Sequence, residues 1–295
     1  MTLHGILVID KDPGLTSHDV VARVRRITGE RKVGHTGTLD PLATGVLPVC
    51  LGAATKVIEY LVADDKAYEA EVVLGAETDT DDAEGRVVRE APVPTLMAAD
   101  LDRTLVPFRG DIVQIPPMYA AIKVGGRKLY ELARAGETVE RAPRAVRIDR
   151  LDLLDWQSPV ARLRIDCSKG TYIRALARDL GRALGCGGHL RSLRRLRSGS
   201  FTIDRAIALE WLGHEFGVTP WERLTVPLEV ALPGWPSIAL DEGGVTAWRQ
   251  GRPVRARRSG PGERCLAYGP DGAWLGLGRY DARSDTWHPE KVVAL

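Results

Sequence analysis

Asp40 stands in the stretch Gly34-His35-Thr36-Gly37-Thr38-Leu39-Asp40-Pro41-Leu42-Ala43-Thr44-Gly45, where its carboxylate could serve as a nucleophile or a general base. Three glycines, three threonines and a proline in twelve residues exclude a regular helix or a central strand, so the stretch is expected to be a loop. Apolar segments flank it, Val20 to Ile27 before and Val46 to Leu51 after. A loop tied at both ends to core elements holds its side chains still, and catalytic groups sit in such loops. Pro41 biases Asp40 toward extended backbone, which presents the carboxylate outward. The same composition also fits a turn in which Asp40 caps the next element.

Three other features could share chemistry with that carboxylate. Tyr68, after Asp65-Lys66-Ala67, offers a flat aromatic face and a phenol at the start of a strand. Arg174 follows Lys169-Gly170-Thr171-Tyr172-Ile173 in the first turn of a helix. The run His189-Leu190-Arg191-Ser192-Leu193-Arg194-Arg195-Leu196-Arg197 sets five cationic or potentially cationic groups beside three leucines. Aromatic and basic groups together suit a splayed-out RNA base, the ring stacking on the base while arginines hold phosphates. Plainer readings stand beside each: Tyr68 and Tyr172 as packing, Arg174 as a surface ion pair, His35 as a partner for its own loop.

The elements that must position these groups can be read from period and punctuation. Gly5 to Ile9 reads as a buried strand, followed by a turn through Asp10-Lys11-Asp12-Pro13-Gly14. Thr16 or Ser17 can cap a helix with Val20, Val21, Val24 and Ile27 on one face, stopped by Gly29. Helical spacing recurs over 54–62, a strand over 68–74, and a helix over 96–105. Glu77 to Gly85 is expected to be a solvated acidic loop whose carboxylates need no function. Two prolines make 115–123 extended or an edge, and 127–134 is a short helix that Gly136 ends. Ala161 to Cys167 alternates as a half-buried strand. Thr171 to Leu184 is the strongest helix, burying Ile173, Leu176, Ala177, Leu180, Ala183 and Leu184, with Arg174, Arg178 and Arg182 on another face. Residues 1–213 are thus expected to form one domain, 214–236 a proline-rich linker, and 237–295 a small β-rich domain. The last contains a hairpin of 264–268 and 274–280 around Gly269-Pro270-Asp271-Gly272, with Arg249, Arg252, Arg255, Arg257 and Arg258 clustered nearby. Irregularly mixed strands and helices favour an α+β fold.

A net charge of +2 conceals an asymmetry. From Glu59 to Asp102 there are thirteen acidic residues against three basic, a net of −10; from Arg141 to Arg205 there are fifteen basic against six acidic, a net of +9. Such a basic region points to a polyanion, although its arginines could instead pair with the acidic segment. The four cysteines, Cys50, Cys167, Cys186 and Cys265, are scattered and lie at no metal-ligand spacing, so neither zinc nor another metal is expected. Neither a secretory signal nor an apolar run of membrane-spanning length is visible, and a cytoplasmic protein is expected.

Several segments together resemble one family. Gly34 to Gly45 continues into Leu47-Pro48-Val49-Cys50-Leu51-Gly52-Ala53-Ala54-Thr55-Lys56, and is joined in order by Asp65-Lys66-Ala67-Tyr68-Glu69-Ala70 and Lys169-Gly170-Thr171-Tyr172-Ile173-Arg174-Ala175-Leu176. Leu184-Gly185-Cys186-Gly187-Gly188-His189 with Leu193-Arg194-Arg195-Leu196 completes the set, and 7–14 and 116–123 add to it. Over roughly residues 3 to 205 the chain resembles the TruB family of tRNA pseudouridine synthases; the C-terminal region is a weaker match. The resemblance implies a pseudouridine-synthase-like fold, a mixed and mainly antiparallel sheet flanked by helices, with a small PUA-type β domain behind it. It implies isomerisation of the uridine at position 55 in the tRNA T loop, by a monomer without cofactor or metal. It further implies Asp40 as nucleophile and Arg174 as the group that pairs with it. Tyr68 would stack on the flipped uracil and help remove its C5 proton, His35 would fill the space the nucleotide leaves, and Tyr172 and Leu193 would line the uracil pocket. Attack at C6, attack at C1′ and removal of a 2′ proton all remain open.

Two other readings of the residues stay in play. One is a protein that binds and opens the tRNA elbow, which the basic helix and basic tail favour. The other is a phosphohydrolase with an aspartyl nucleophile, which lacks a second aspartate in the Asp40 loop.

Overall fold

The computed structural model describes residues 3–62, 65–120, 122–137, 139–256 and 262–293. Ten strands make one mixed sheet. Its main path runs Ile207–Ala208, Gly5–Lys11, Thr44–Leu51, Gly188–Ser198, Lys66–Leu74, Val160–Cys167, Arg144–Gln157 and Gly110–Gln114. Neighbours are antiparallel except at two places: Ile207–Ala208 runs parallel to Gly5–Lys11, and Thr44–Leu51 runs parallel to Gly188–Ser198. The sequence run of histidine, leucines and arginines is therefore a central strand of the sheet.

Strands buried on both faces explain the unbroken apolar runs at 6–9 and 46–51. Leu7, Ile9, Leu47 and Val49 join the core beneath the helices, while Ile6, Val8, Val46 and Cys50 join a second core behind the sheet. Three helices cover the first face through Val20, Val24, Leu101, Leu105, Leu176 and Leu180: Ser17–Thr28, Ala98–Leu105 and Ile173–Ala183. The first is fixed by its ends. Thr16 and Asp19 form a reciprocal capping box, and Gly29 closes the helix at φ 69°.

A second sheet of Ser237–Ala239, Arg264–Tyr268, Trp274–Asp281 and Thr286–Val292 closes around Trp248, Trp287, Ile238 and Leu275. Its Leu266 and Leu277 pack into the core behind the main sheet. Of the basic cluster nearby, Arg249, Arg252 and Arg255 are exposed, and Arg257 and Arg258 lie outside the described residues.

Three expectations need correction. The acidic stretch after residue 76 is no solvated loop: Ala76–Thr78 pairs with Val87–Glu90, and Glu77, Thr78 and Asp82 are buried. Each buried carboxylate has an arginine to answer it, Arg182 and Arg89 for Glu77 and Arg174 for Asp82. The stretch 214–236 is not free chain either. It carries the one-turn helices Trp221–Leu224 and Leu228–Ala231, and Leu224, Ala231 and Leu232 are buried in the two cores. Residues 54–62 are helical but not one α-helix: the 3₁₀ helix Gly52–Val57 runs into a single α-helical turn, Ile58–Leu61.

Candidate active site

Asp40 lies in a loop that leaves the short strand Val33–His35 and enters Thr44–Leu51. The loop contributes Leu39 and Ala43 to the core, so it is anchored by burial as well as by hydrogen bonds. Ser17 Oγ accepts from the Leu39 N–H at 2.9 Å and donates back to the Leu39 carbonyl at 3.2 Å. Ala43 N–H closes a turn onto the Asp40 carbonyl at 3.0 Å, and Gly14 N–H donates to the Pro41 carbonyl at 2.9 Å. Lys11, fully buried, brings its ammonium to the Asp12, Leu15 and Pro41 carbonyls at 2.9, 2.7 and 3.2 Å. Burial pulls the Lys11 proton affinity down to about 8, against the opposing influence of Asp12 and Asp40.

The loop re-enters the sheet at Gly45, whose φ of 98° belongs to the region glycine favours. A Cβ there would meet the Arg195 carbonyl oxygen at 2.2 Å. Only glycine lets Thr44–Leu51 pair with Gly188–Ser198 at this point.

Opposite the loop, the helix Ile173–Ala183 begins immediately after Tyr172. The buried Gln114 side chain accepts from the Tyr172 N–H at 3.0 Å and donates to its carbonyl at 3.3 Å, which ties this turn to the sheet edge. In the helix's first turn Arg174 Nε lies 3.0 Å from Asp40 Oδ2. The other guanidinium nitrogens donate to the Thr80 carbonyl at 3.1 Å and the Tyr119 carbonyl at 2.7 Å, and Asp82 Oδ2 stands 3.5 Å from Nη1. Arg174 is only 6% exposed, and a charge so buried is tolerable only when its donors are met in this way. One turn on, Arg178 pairs with Asp81 at 2.8 Å, and one turn further Arg182 pairs with Glu77 at 2.9 Å. The arginine stripe and the acidic segment thus neutralise one another rung by rung, which is the pairing that charge counting alone left open.

A cavity of about 540 Å³ opens between loop and helix, lined by Asp40, Tyr68, Tyr172, Arg174, Leu193 and Arg195 among others. His35 does not line it. Its Nδ1 accepts the Gly37 N–H at 3.3 Å, and its ring meets His18 edge-on at 5.6 Å. Burial beside His18 and Arg195 lowers the proton affinity of His35, favouring the neutral ring. Burial raises the Asp40 carboxyl above the ordinary aspartate range and Asp82 adds to this, while Arg174 and Lys11 pull it back. Burial likewise raises the Tyr68 phenol, opposed first by Arg195. The arrangement offers an oriented carboxylate, a phenol and an apolar wall in one enclosure, the parts needed for nucleophilic and proton-transfer chemistry on a flat ring.

Sequence reasoning passed over Lys11, Asp82 and the particular position of Arg195. Lys11 continues the buried alternation Leu7, Ile9, Lys11, and a cation at an inward strand position is a readable signal. Arg195 likewise follows Leu193 at a spacing of two. Asp82 carried no signal separating it from its acidic neighbours.

Adjoining stretches of the chain match two family models, TruB family pseudouridylate synthase (N terminal domain) at residues 25–173 and tRNA pseudouridylate synthase B C-terminal domain at residues 174–232. The chain is 47% identical over 281 residues to a protein named tRNA pseudouridine synthase B from Xanthomonas euvesicatoria pv. vesicatoria (strain 85-10), covering 95% of this chain and 91% of that one. A protein of the same name from Pseudomonas paraeruginosa (strain DSM 24068 / PA7) is 48% identical over 258 residues, 86% of this chain and 84% of that one. Among solved structures, a chain from an H/ACA RNP bound to a substrate RNA containing 2′-deoxyuridine superposes with a TM-score of 0.70 at 25% identity, covering 99% of this chain and 85% of that one. A chain from a Cbf5-Nop10-Gar1 complex gives a TM-score of 0.70 at 27% identity, over 98% of this chain and 84% of that one.

Proposed function

The chain belongs to the TruB family of pseudouridylate synthases, and on that premise we propose that it isomerises uridine to pseudouridine at position 55 in the T loop of tRNA. The target base cannot be reached in a stacked loop, so it must be everted into the cavity. There Asp40 acts as the nucleophilic carboxylate, and Arg174 keeps it ionised and aimed. The N1–C1′ bond breaks, the uracil turns within the pocket, and C5 bonds to C1′. The C5 proton then leaves and N1 gains one, so atoms balance without an oxidant or a cofactor. Tyr68 stacks on the ring and accepts the C5 proton, Tyr172 and Leu193 wall the uracil, and His35 fills the gap left in the RNA. The C-terminal region, residues 237–295, serves as a PUA-like accessory domain for the same tRNA, in a monomer working in the cytoplasm.

One observation carries this reading: the 3.0 Å approach of Asp40 and Arg174 at a cavity shared with Tyr68. Tritium release from a tRNA transcript labelled at uracil C5 tests it, because isomerisation must free that hydrogen. Release by the protein, abolished in Asp40→Asn, is the expected result. Tight binding without release would favour instead a protein that only opens the tRNA elbow.

A further inference from the structure

Arg195 is a buried cation without a carboxylate partner among the described residues. It is 1% exposed, and its guanidinium is held by carbonyls, Nε donating to Val46 at 2.7 Å and the terminal nitrogens to Gly37 at 3.1 Å and Thr38 at 3.5 Å. Gly37 and Thr38 belong to the loop that presents Asp40. In the sheet Arg195 is the register partner of Tyr68, so the two side chains leave the same face of neighbouring strands and reach the same cavity. Of the other arginines lining the cavity, Arg174 is matched to carboxylates and Arg144 is exposed to solvent, so Arg195 is the buried one left without a carboxylate among the described residues. Arg195 therefore keeps a positive charge that no carboxylate cancels, next to the Tyr68 phenol.

We propose that Arg195 is a positioning residue for this reaction: its fork fixes the loop that carries Asp40, and its charge favours the phenolate form of Tyr68. The inference rests on the reading above, in which Tyr68 takes the proton from C5. In that step the C–H electron pair stays in the ring as the C5=C6 double bond is restored, and the proton passes to the phenolate oxygen, giving the neutral phenol. A base competent near neutral pH must hold some of its population deprotonated, which burial alone opposes. A guanidinium beside the oxygen works in the other direction, as the opposed influences of burial and Arg195 on Tyr68 indicate. Lysine would keep the charge and lose the planar fork, so the two contributions can be separated.

Single-turnover rates with tRNA carrying protium or deuterium at uracil C5, measured across pH in the unaltered protein, Arg195→Gln and Arg195→Lys, test this. Removing the charge should slow Arg195→Gln by about 10²-fold near neutral pH. Its rate should keep rising with pH where the unaltered protein has levelled off, and deuterium should slow it more. Arg195→Lys should recover the original pH profile while remaining slower. A Gln variant reduced by the same factor at every pH, with an unchanged isotope effect, would overturn the proposal and leave Arg195 a loop clamp. Should the Gln variant fail to fold, 3-fluorotyrosine at position 68 with Arg195 intact supplies the answer. The more acidic phenol must move the levelling point to lower pH, and an unmoved profile overturns the proposal. Unaltered protein that releases no tritium defeats the parent reading itself, whereas normal turnover with indifferent variants defeats only the role of Arg195.

Discussion

In the proposed mechanism Asp40 must be charged to attack, yet it sits where burial and Asp82 favour the protonated acid, with Arg174 and Lys11 resisting. The balance makes three expectations concrete. Asp40→Asn keeps shape but cannot act as a nucleophile, so single-turnover isomerisation should fall by at least about 10⁴-fold while tRNA affinity, read by filter binding, stays nearly intact. Arg174→Lys keeps the charge but cannot meet Asp40, the Thr80 carbonyl and the Tyr119 carbonyl together. A rate loss of about 10²–10³-fold is expected, again with little change in binding. The pH dependence follows in sign from the raised carboxyl: protonation removes the nucleophile, so activity should decline as pH falls through a midpoint above the ordinary aspartate value of 3.8. An acid limb centred below that value would show that Arg174 outweighs burial.

At the scale of elements, the site depends on how tightly one loop is held between a helix cap, two strands and a buried lysine. Gly45→Ala demands both a strained φ and the displacement of a backbone carbonyl. About 3 kcal/mol of stability should be lost, visible as a lowered Tm by calorimetry. Lys11 has its folded-state affinity pulled down to about 8 from 10.5. The unfolded chain therefore binds the proton more tightly, and unfolding free energy should rise between pH 8 and 10, a slope that Lys11→Met removes. Period and punctuation made many of these elements legible: the capped helix ending at Gly29, the alternating Leu163, Ile165 and Cys167, and the hairpin about Gly269. Burial of charge was not legible. Asp82 looks like a solvent residue because its partner Arg174 lies far along the chain, and Glu77, which meets Arg89 across a short hairpin, is also answered by the distant Arg182. The long strand Gly188–Ser198 was hidden for the same reason, since its inward Arg195 breaks the apolar alternation. Asp40, Tyr68 and Arg174 stood out sooner, because loop punctuation and family resemblance mark them without knowledge of the fold.

Over the whole molecule, the three arginines of the helix Ile173–Ala183 each meet a carboxylate of the acidic stretch, so the arginine helix is an internal brace rather than a phosphate-binding surface. Affinity for a polyanion must then come from cations left exposed elsewhere, among them Arg249, Arg252 and Arg255 near the second sheet. Changing these three to alanine should weaken tRNA binding and flatten its salt dependence by about 0.7–0.9 in log–log slope for every phosphate no longer neutralised, with the single-turnover rate at saturating protein unchanged. An unaltered slope would make the second sheet a structural support alone. Its Leu266 and Leu277, seated behind the main sheet, give it that supporting role in either case. Whether Asp40 makes pseudouridine in tRNA is decided by carbodiimide-dependent primer extension on an unmodified tRNA transcript, incubated with the protein or with Asp40→Asn. A single new stop at the T-loop uridine, present with the protein and absent with the variant, is expected. Equal stops with both proteins, or none with either, would contradict it.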